Sequence, residues 1–232
     1  MTSTAGAPSE ITSHIEIHGS HGHQASLDTG LDFVNTLENE KGGQTEHLPT
    51  AEDAVVWLHG HDLLHRQMVD DLLARTAGDP AAGDQLLRRV RRTRGALREL
   101  LDATVEERPP DPAALREVNR ALLTQYIYEL VPASDGISLD HRHQGDPVDG
   151  AMARLAETIA RELTQGQPDR LHVCANDECR WVFFDTSAGG RRKWCDMSTC
   201  GNRAKVARHR ARQRELEIAF GMDELTAGQP TA

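Results

Sequence analysis

The chain has 232 residues, of which 38% are hydrophobic and 27% charged, and its formal net charge is −10. This balance is typical of a soluble globular protein that buries a core of its own, and it excludes a disordered chain. No stretch reaches the ~18 consecutive apolar residues of a membrane-spanning helix. No apolar run precedes the first basic residue, Lys41. We therefore expect a cytoplasmic protein with no membrane partner.

The charge is unevenly distributed along the chain. Residues 170–214 contain 11 Lys or Arg and 4 Asp or Glu, a local charge of +7, which leaves −17 for the rest. A basic block within an acidic chain indicates a local nucleic-acid surface more strongly than the whole-chain charge argues against one.

The first 26 residues are rich in Ser, Thr, Gly and His and predict a flexible tail. A weak metal site is the alternative for its four histidines, which are His14, His18, His21 and His23.

Residues 27–168 are predicted to form an α-rich domain. Apolar residues recur at helical spacing over 31–37, 83–105 and 148–163, and each of these segments predicts a helix. The helix over 83–105 carries six arginines on its other face. Gly166 and Pro168 follow the last of these helices and indicate a linker.

Two further helix starts and one hairpin have local signals. Thr50 and Asp53 form a capping-box pattern, and Asp111 precedes a proline that suits the first position of a helix. Residues 126–144 combine β-favouring side chains with a turn-like centre and predict a small β-hairpin.

The sequence of this domain does not identify an effector. Asn35 and Thr36 lie beside apolar residues of the first helix, where they either line a pocket for a small-molecule effector or hydrogen-bond neighbouring helices. His61 and His65 share a helix face but lack the Glu of a zinc-protease motif, and the chain has no P-loop, dinucleotide or nucleophile-elbow motif. We therefore expect no enzymatic activity.

The four cysteines form two C-x4-C pairs separated by 15 residues, and all lie in the basic block. They are Cys174, Cys179, Cys195 and Cys200. Disulfides do not persist in a reducing compartment, so metal binding is the favoured interpretation. Four thiolates complete a tetrahedral shell that suits one structural zinc ion and leaves no open position. Two disulfides or buried free thiols are the alternative.

The 15 residues between the pairs read as strand, turn, strand, with strands over 181–184 and 191–194. Two cysteine pairs, a hairpin and a following helix suggest a treble-clef-like finger. The aromatic residues of this segment either stack on bases or form the small core of the finger; they are Trp181, Phe183, Phe184 and Trp194.

A basic helix is predicted directly after Cys200, because Ala, Arg, Lys and Gln favour helix. Its six cations lie on two opposite sides: Arg203, Arg210 and Arg214 on one, and Lys205, Arg208 and Arg212 on the other. The helix has no clean apolar stripe, which suits a helix in a groove with phosphates on both walls. The alternative is a solvated helix whose charges pair with the acidic N-terminal domain.

The runs from Cys174 to Asp185 and from Arg191 to Lys205 resemble the CGNR zinc finger, named for its Cys-Gly-Asn-Arg sequence. The run from Leu31 to Leu37 resembles the start of the α-rich ABATE domain, which precedes that finger in bacterial proteins. The resemblance implies a stress-induced transcription regulator, with the four cysteines as zinc ligands. The turn 187–190 departs from relatives, which often carry Arg and Asn there, and this departure puts one phosphate contact in doubt.

The three residues that directly follow Cys200 are each expected to have a role in the finger or in the basic helix. Gly201 is expected to allow a close approach beside that ligand, where a Cβ would crowd the metal turn. Asn202 either caps the basic helix or is a turn residue, and Arg203 either contacts DNA or braces the finger against Asp185. The residues expected to contact nucleic acid are Arg191, Arg192, Lys193, Asn202, Arg203, Lys205, Arg208, Arg210, Arg212 and Arg214.

The expected fold class is mainly α: an N-terminal α-rich domain with a small β-hairpin, then a treble-clef-like four-cysteine zinc finger with a C-terminal basic helix. The expected divisions are a tail over 1–26, a sensor domain over 27–168, the finger over 170–220 and a flexible tail over 221–232. The expected function is zinc-dependent DNA binding by a stress-responsive transcription regulator. An RNA-binding module and a zinc-stabilised protein-interaction scaffold are the alternatives.

Overall fold

The computed structural model describes residues 25–226 except 41, 125, 134 and 135. The histidine-rich segment therefore lies outside the described residues. The described chain is mainly helical, and its helices are α1 (Leu27–Asn35), α2 (Ala51–Gly60), α3 (Arg66–Gly78), α4 (Pro80–Val105), α5 (Pro112–Leu122), α6 (Pro147–Gln165) and α7 (Asn202–Thr226). None of these helices is long and apolar enough to cross a membrane.

The described strands form three separate antiparallel pairs. They are β1 (Leu37–Glu40) with β2 (Gly43–Glu46), β3 (Tyr126–Ala133) with β4 (Gly136–His143), and β5 (Leu171–Val173) with β6 (Val182–Phe184). The β3–β4 pair confirms the hairpin predicted over 126–144. The β1–β2 pair and α3 were not predicted from the sequence.

The predicted helix starts are confirmed. At α2, the Thr50 hydroxyl accepts from the Asp53 N–H at 3.1 Å while the Asp53 carboxylate accepts from the Thr50 N–H at 3.0 Å. At α5, the Asp111 carboxylate accepts from the Ala113 N–H at 2.7 Å. Each cap satisfies a backbone donor that has no partner within the helix.

The main core forms where α4 and α6 pack with α1, α2 and parts of α3 and α5. Its fully buried side chains are chiefly aliphatic, as the low aromatic content predicts. At the contact of α1 with α6, a Cβ on Gly30 would lie 3.2 Å from Ile159, so glycine allows the two helices to approach closely. Leu171 of β5 and Val182 of β6 belong to this same core.

The arginine-rich face of α4 is neutralised by ion pairs within the chain. All six arginines have a carboxylate partner: Arg88 with Asp84, Arg89 with Asp149, Arg91 and Arg94 with Glu46, Arg92 with Glu117, and Arg98 with Asp102. Arg94 is only 4% exposed and donates to Glu46 at 2.7 Å and to the Thr36 hydroxyl at 2.9 Å. This network fastens the β1–β2 pair to α4.

We expect Arg94→Ala to lower the free energy of unfolding by about 1–3 kcal/mol. The loss is at the lower end for a buried ion pair, because Arg91 still lies 3.3 Å from Glu46. Arg88→Ala on the same helix is the control, since Arg88 is 61% exposed and its partner lies 4.0 Å away; its effect should stay within about 0.5 kcal/mol. Denaturant unfolding of both variants checks this, and equal losses would contradict the structural role of Arg94.

The strand pairing in the C-terminal part differs from the prediction. The strand expected over 181–184 exists as β6, but it pairs with β5, with Leu171 opposite Phe184. The prediction of a strand over 191–194 was wrong, because residues 191–193 are in a loop. The segment that contains Cys174 and Cys179 forms the turn between β5 and β6, so these two strands pair with each other. The inward side chains of both strands are buried in the main core. At the other end, α7 continues to Thr226, so the expected tail is helical up to that residue.

Candidate metal centre and basic helix

The four cysteine sulfurs lie together, all within 4.8 Å of one another. The distance between the sulfurs of Cys179 and Cys195 is 3.6 Å, and that between the sulfurs of Cys195 and Cys200 is 3.9 Å. A zinc ion with bonds of ~2.3 Å to four tetrahedral sulfurs separates those sulfurs by ~3.8 Å. The donor set and its spacing therefore fit one zinc ion.

Two backbone turns place these sulfurs. In the first, the Cys174 N–H donates to the Trp181 carbonyl at 2.8 Å and the Cys179 N–H donates to the Asn176 carbonyl at 2.8 Å. In the second, the π-helical turn Met197–Gly201 carries Cys200 and leads directly into α7. The Asp196 carboxylate caps this second turn by accepting from the Thr199 N–H at 2.8 Å.

The thiols have opposed pKa shifts. Burial raises the pKa of Cys179 to about 11 and raises that of Cys195 further. Burial also acts to raise the pKa of Cys200, but the Asn176 amide, 3.5 Å from its sulfur, and the neighbouring thiols outweigh that effect and lower the pKa. Four adjacent thiolates therefore need a cation to balance them, and metal binding must displace protons.

A buried carboxylate organises the loop between the two turns. Asp185 is fully buried and accepts from the N–H groups of Ser187 and Arg192 at 2.9 and 2.8 Å. Burial acts to raise its pKa, but these hydrogen bonds lower the pKa to about 2. Arg170 donates to the Asp185 carbonyl at 2.8 Å. Arg170 and Arg192 therefore hold the segment around Asp185 in place. This is one of the two roles that were expected for Arg203.

The aromatic residues form a small core around the metal site. Trp181, Phe183 and Trp194 pack with the cysteines, whereas Phe184 packs against the main core. The guanidinium of Arg208 lies 6.0 Å from the Trp194 ring centre. This arrangement supports the small-core interpretation over base stacking.

Most of the residues predicted to contact nucleic acid are exposed to solvent. All six cations of α7 are exposed, as are Arg191 and Lys193 in the loop. Arg192 is the exception, because it donates to the Cys195 carbonyl at 2.6 Å and lies 5.3 Å from the Phe183 ring centre. Within the part of the chain that the structure describes, no α7 cation has a carboxylate within 4.0 Å.

Two family models match the chain. The ABATE model, described as "Putative stress-induced transcription regulator", matches residues 27–166, and the CGNR zinc finger model matches residues 170–213. This chain belongs to the ABATE family. It carries a CGNR zinc finger whose four clustered cysteines can hold one zinc ion. Neither description names an enzyme family, and a comparison with curated proteins gave no match.

Two of the residues that give the CGNR finger its name, Gly201 and Asn202, have local structural roles. Asn202 is exposed and donates to the Ser198 carbonyl at 2.9 Å; it does not cap α7, because Asp196 caps the turn before it. A Cβ on Gly201 would lie 3.0 Å from the sulfur of Met197, which belongs to the turn that carries Cys200. A Cβ would therefore crowd the metal turn, as expected, and the side chain that it would meet is a flexible one.

Asn35 joins the ABATE domain to the CGNR finger. Its amide donates to the Val182 carbonyl at 2.9 Å, and its oxygen accepts from the Val182 N–H at 3.0 Å. Thr36 donates to the Phe33 carbonyl and accepts from Arg94. Both residues are buried, and these contacts favour the hydrogen-bonding interpretation over a ligand pocket. Arg98 adds a third tie by donating to the Arg180 carbonyl at 2.7 Å.

The zinc site opens into a cleft of about 720 Å³ between β1 and the finger, which we call the acidic cleft. Its charged lining residues are Glu38, Glu40, Glu178, Asp196 and Arg203. No sequence signal indicated this cleft, because it depends on the β1–β2 pair, which was not predicted. Asn176 and Asp196 were missed too, although Asp is among the residues preferred at the start of a helix.

Proposed function

We propose that this ABATE-family protein is a zinc-dependent, DNA-binding transcription regulator of the bacterial cytoplasm that acts in a stress response. The proposal divides the chain into the ABATE domain over 27–168 as the sensor part and the finger over 170–220 as the DNA-binding part. The observation that carries it is the basic half of α7, residues 202–214, whose cations are exposed and have no carboxylate partner among the residues that the structure describes.

The contrast between the two arginine-rich helices supports this interpretation. Every arginine on the basic face of α4 has a carboxylate partner within the chain. The cations of α7 have none among the described residues, although the chain is acidic overall. A helix paired with the acidic domain would show such partners. Unpaired, exposed cations on one helix are available for phosphates.

The finger fixes the start of this helix. Zinc, when bound, links the two cysteine turns into one rigid unit. Cys200 then anchors the turn that leads into α7, and Asp196 caps that turn. Arg208 packs over Trp194 of the small core. Arg203, in contrast, lines the acidic cleft, so we expect the cations beyond it to make the principal phosphate contacts.

The salt dependence of DNA binding tests this function. If about four cations contact phosphates, log affinity should fall against log salt concentration with a slope of about −3.6. Replacing Arg208 and Arg212 by alanine should weaken binding to all sequences and flatten the slope by about 2. Replacing a residue that contacts base edges would instead weaken the sequence preference at one base pair.

The matched control replaces Arg88 and Arg92 of α4 by alanine. It removes the same charge from exposed positions in the ABATE domain, and we expect its slope to equal that of the wild type. Equal flattening by both pairs would contradict a specific role for α7. Tighter binding to RNA than to duplex DNA would favour the RNA-binding alternative, and absence of binding to both at low salt would favour the protein-interaction scaffold.

A further inference from the structure

The acidic cleft gives solvent access to the metal site from one side. Cys179, Cys195 and Cys200 line it, whereas Cys174 is fully buried and does not. A closed structural site would shield all four sulfurs equally. Here a small molecule that enters the cleft reaches three of them.

The three accessible sulfurs are not equivalent. Cys200 is buried, and its sulfur accepts a hydrogen bond from the Asn176 amide at 3.5 Å, which stabilises the thiolate. Stabilised thiolates are weaker nucleophiles. Cys179 and Cys195 are only half-buried, and their sulfurs lie 3.6 Å apart. The sulfurs of Cys179 and Cys195 are therefore the best placed to be oxidised and then to form a disulfide with each other.

The charge of the cleft selects what can enter. Four carboxylates line it against the single guanidinium of Arg203. A zinc ion with four thiolates adds a formal charge of about −2 to this side. Anionic reagents are repelled by such a field, whereas neutral ones are not.

We propose that Cys179 and Cys195 form an oxidation-sensitive pair whose substrate is a small neutral hydroperoxide. One thiolate attacks a peroxide oxygen, the O–O bond breaks, hydroxide leaves with the electron pair, and a sulfenic acid forms. The second thiolate attacks that sulfur, the S–S bond forms, and a second hydroxide leaves. Two thiolates lose two electrons and hydrogen peroxide becomes two hydroxide ions. Only Cys174 and Cys200 then remain as ligands, too few to hold zinc.

Zinc release and disulfide mapping on the zinc-loaded full chain test the chemistry. With hydrogen peroxide, we expect one zinc released, followed with a colorimetric chelator, for each Cys179–Cys195 disulfide found by peptide mass spectrometry. A dithiol with added zinc should restore the starting state. A disulfide that includes Cys174, or zinc release without a disulfide, overturns the proposal. This inference rests on the zinc site and not on DNA binding, so its failure leaves the proposed function intact.

The charge selection is tested with two thiol reagents, the dianion 5,5′-dithiobis(2-nitrobenzoate) and neutral 4,4′-dithiodipyridine. In Glu38→Gln/Glu40→Gln, we expect the dianion to react about five-fold faster at low salt, with the neutral reagent unchanged. Asp71→Asn/Asp84→Asn removes the same charge from exposed positions that do not line the cleft. Equal acceleration in both double variants, or none in either, overturns selection by the acidic cleft.

Discussion

Cys174→Ser is expected to abolish stoichiometric zinc binding and to lower the melting temperature of the whole chain by more than about 10 °C. Cys174 is fully buried between the strand β5 and the small core of the finger, and no other described sulfur can replace it. Structural zinc contributes about 10–16 kcal/mol of apparent binding free energy in finger peptides, which is as large as the stability of a typical domain.

Metal analysis and thermal unfolding of the variant check this expectation. Thr186→Ala in the same finger is the control, because Thr186 is exposed and the backbone hydrogen bonds of Asp185 to Ser187 and Arg192 are retained. The control should keep one zinc per chain. Unchanged zinc content in Cys174→Ser would contradict the four-thiolate site.

The linker predicted at Gly166 and Pro168 favours two domains that unfold separately, whereas the expected effect on the whole chain is that of a single folding unit. Leu171 and Val182 belong to the finger by sequence but are buried in the main core of the ABATE domain. Removing zinc frees the turn that joins their strands, so part of the main core should loosen with the finger. A melting temperature unaffected by a chelator would show that the two parts are independent.

Asn35→Ala is expected to lower the free energy of unfolding by about 2–6 kcal/mol. The substitution leaves the N–H and the carbonyl of buried Val182 without partners, and each unsatisfied group costs about 1–3 kcal/mol. Because β6 then loses its polar contact with α1, zinc should also transfer to a chelator faster than from the wild type.

Denaturant unfolding and the rate of zinc transfer measure these two effects. Asn119→Ala on α5 is the matched control, since Asn119 is exposed and its substitution should change stability by less than about 0.5 kcal/mol. Asn35→Asp retains the acceptor for the Val182 N–H but not the donor for its carbonyl, so it should also be destabilised. Equal stability of the Asn35 and Asn119 alanine variants would contradict the role of Asn35 in joining the two domains.

Local signals in the sequence were sufficient for most of the helical fold. The apolar spacing over 83–105 predicts α4, and the caps at Thr50 and Asp111 predict the starts of α2 and α5, because these features depend only on neighbours in the chain. The clustering of the cysteines was likewise predictable from their paired spacing.

The remaining features depend on contacts between distant segments. The β1–β2 pair is polar and short, with no apolar alternation, and is held by the Glu46–Arg94 pair across 48 residues. The pairing of β6 with β5 rather than with 191–194 depends on burial of Leu171 and Val182 in a core made by other helices. Asn35 bonds a residue 147 positions away. Sequence periodicity carries no information on such partners.

The central claim is that the exposed basic half of α7 binds DNA when the finger holds zinc. Selection of bound fragments from genomic DNA by the zinc-loaded full chain tests it most directly, with Arg208→Ala/Arg212→Ala selected in parallel. We predict that the wild type enriches a set of duplex fragments that share a sequence, and that the variant recovers far fewer at the same salt concentration. Recovery of no fragment at low salt, or equal recovery by both proteins, would contradict the claim.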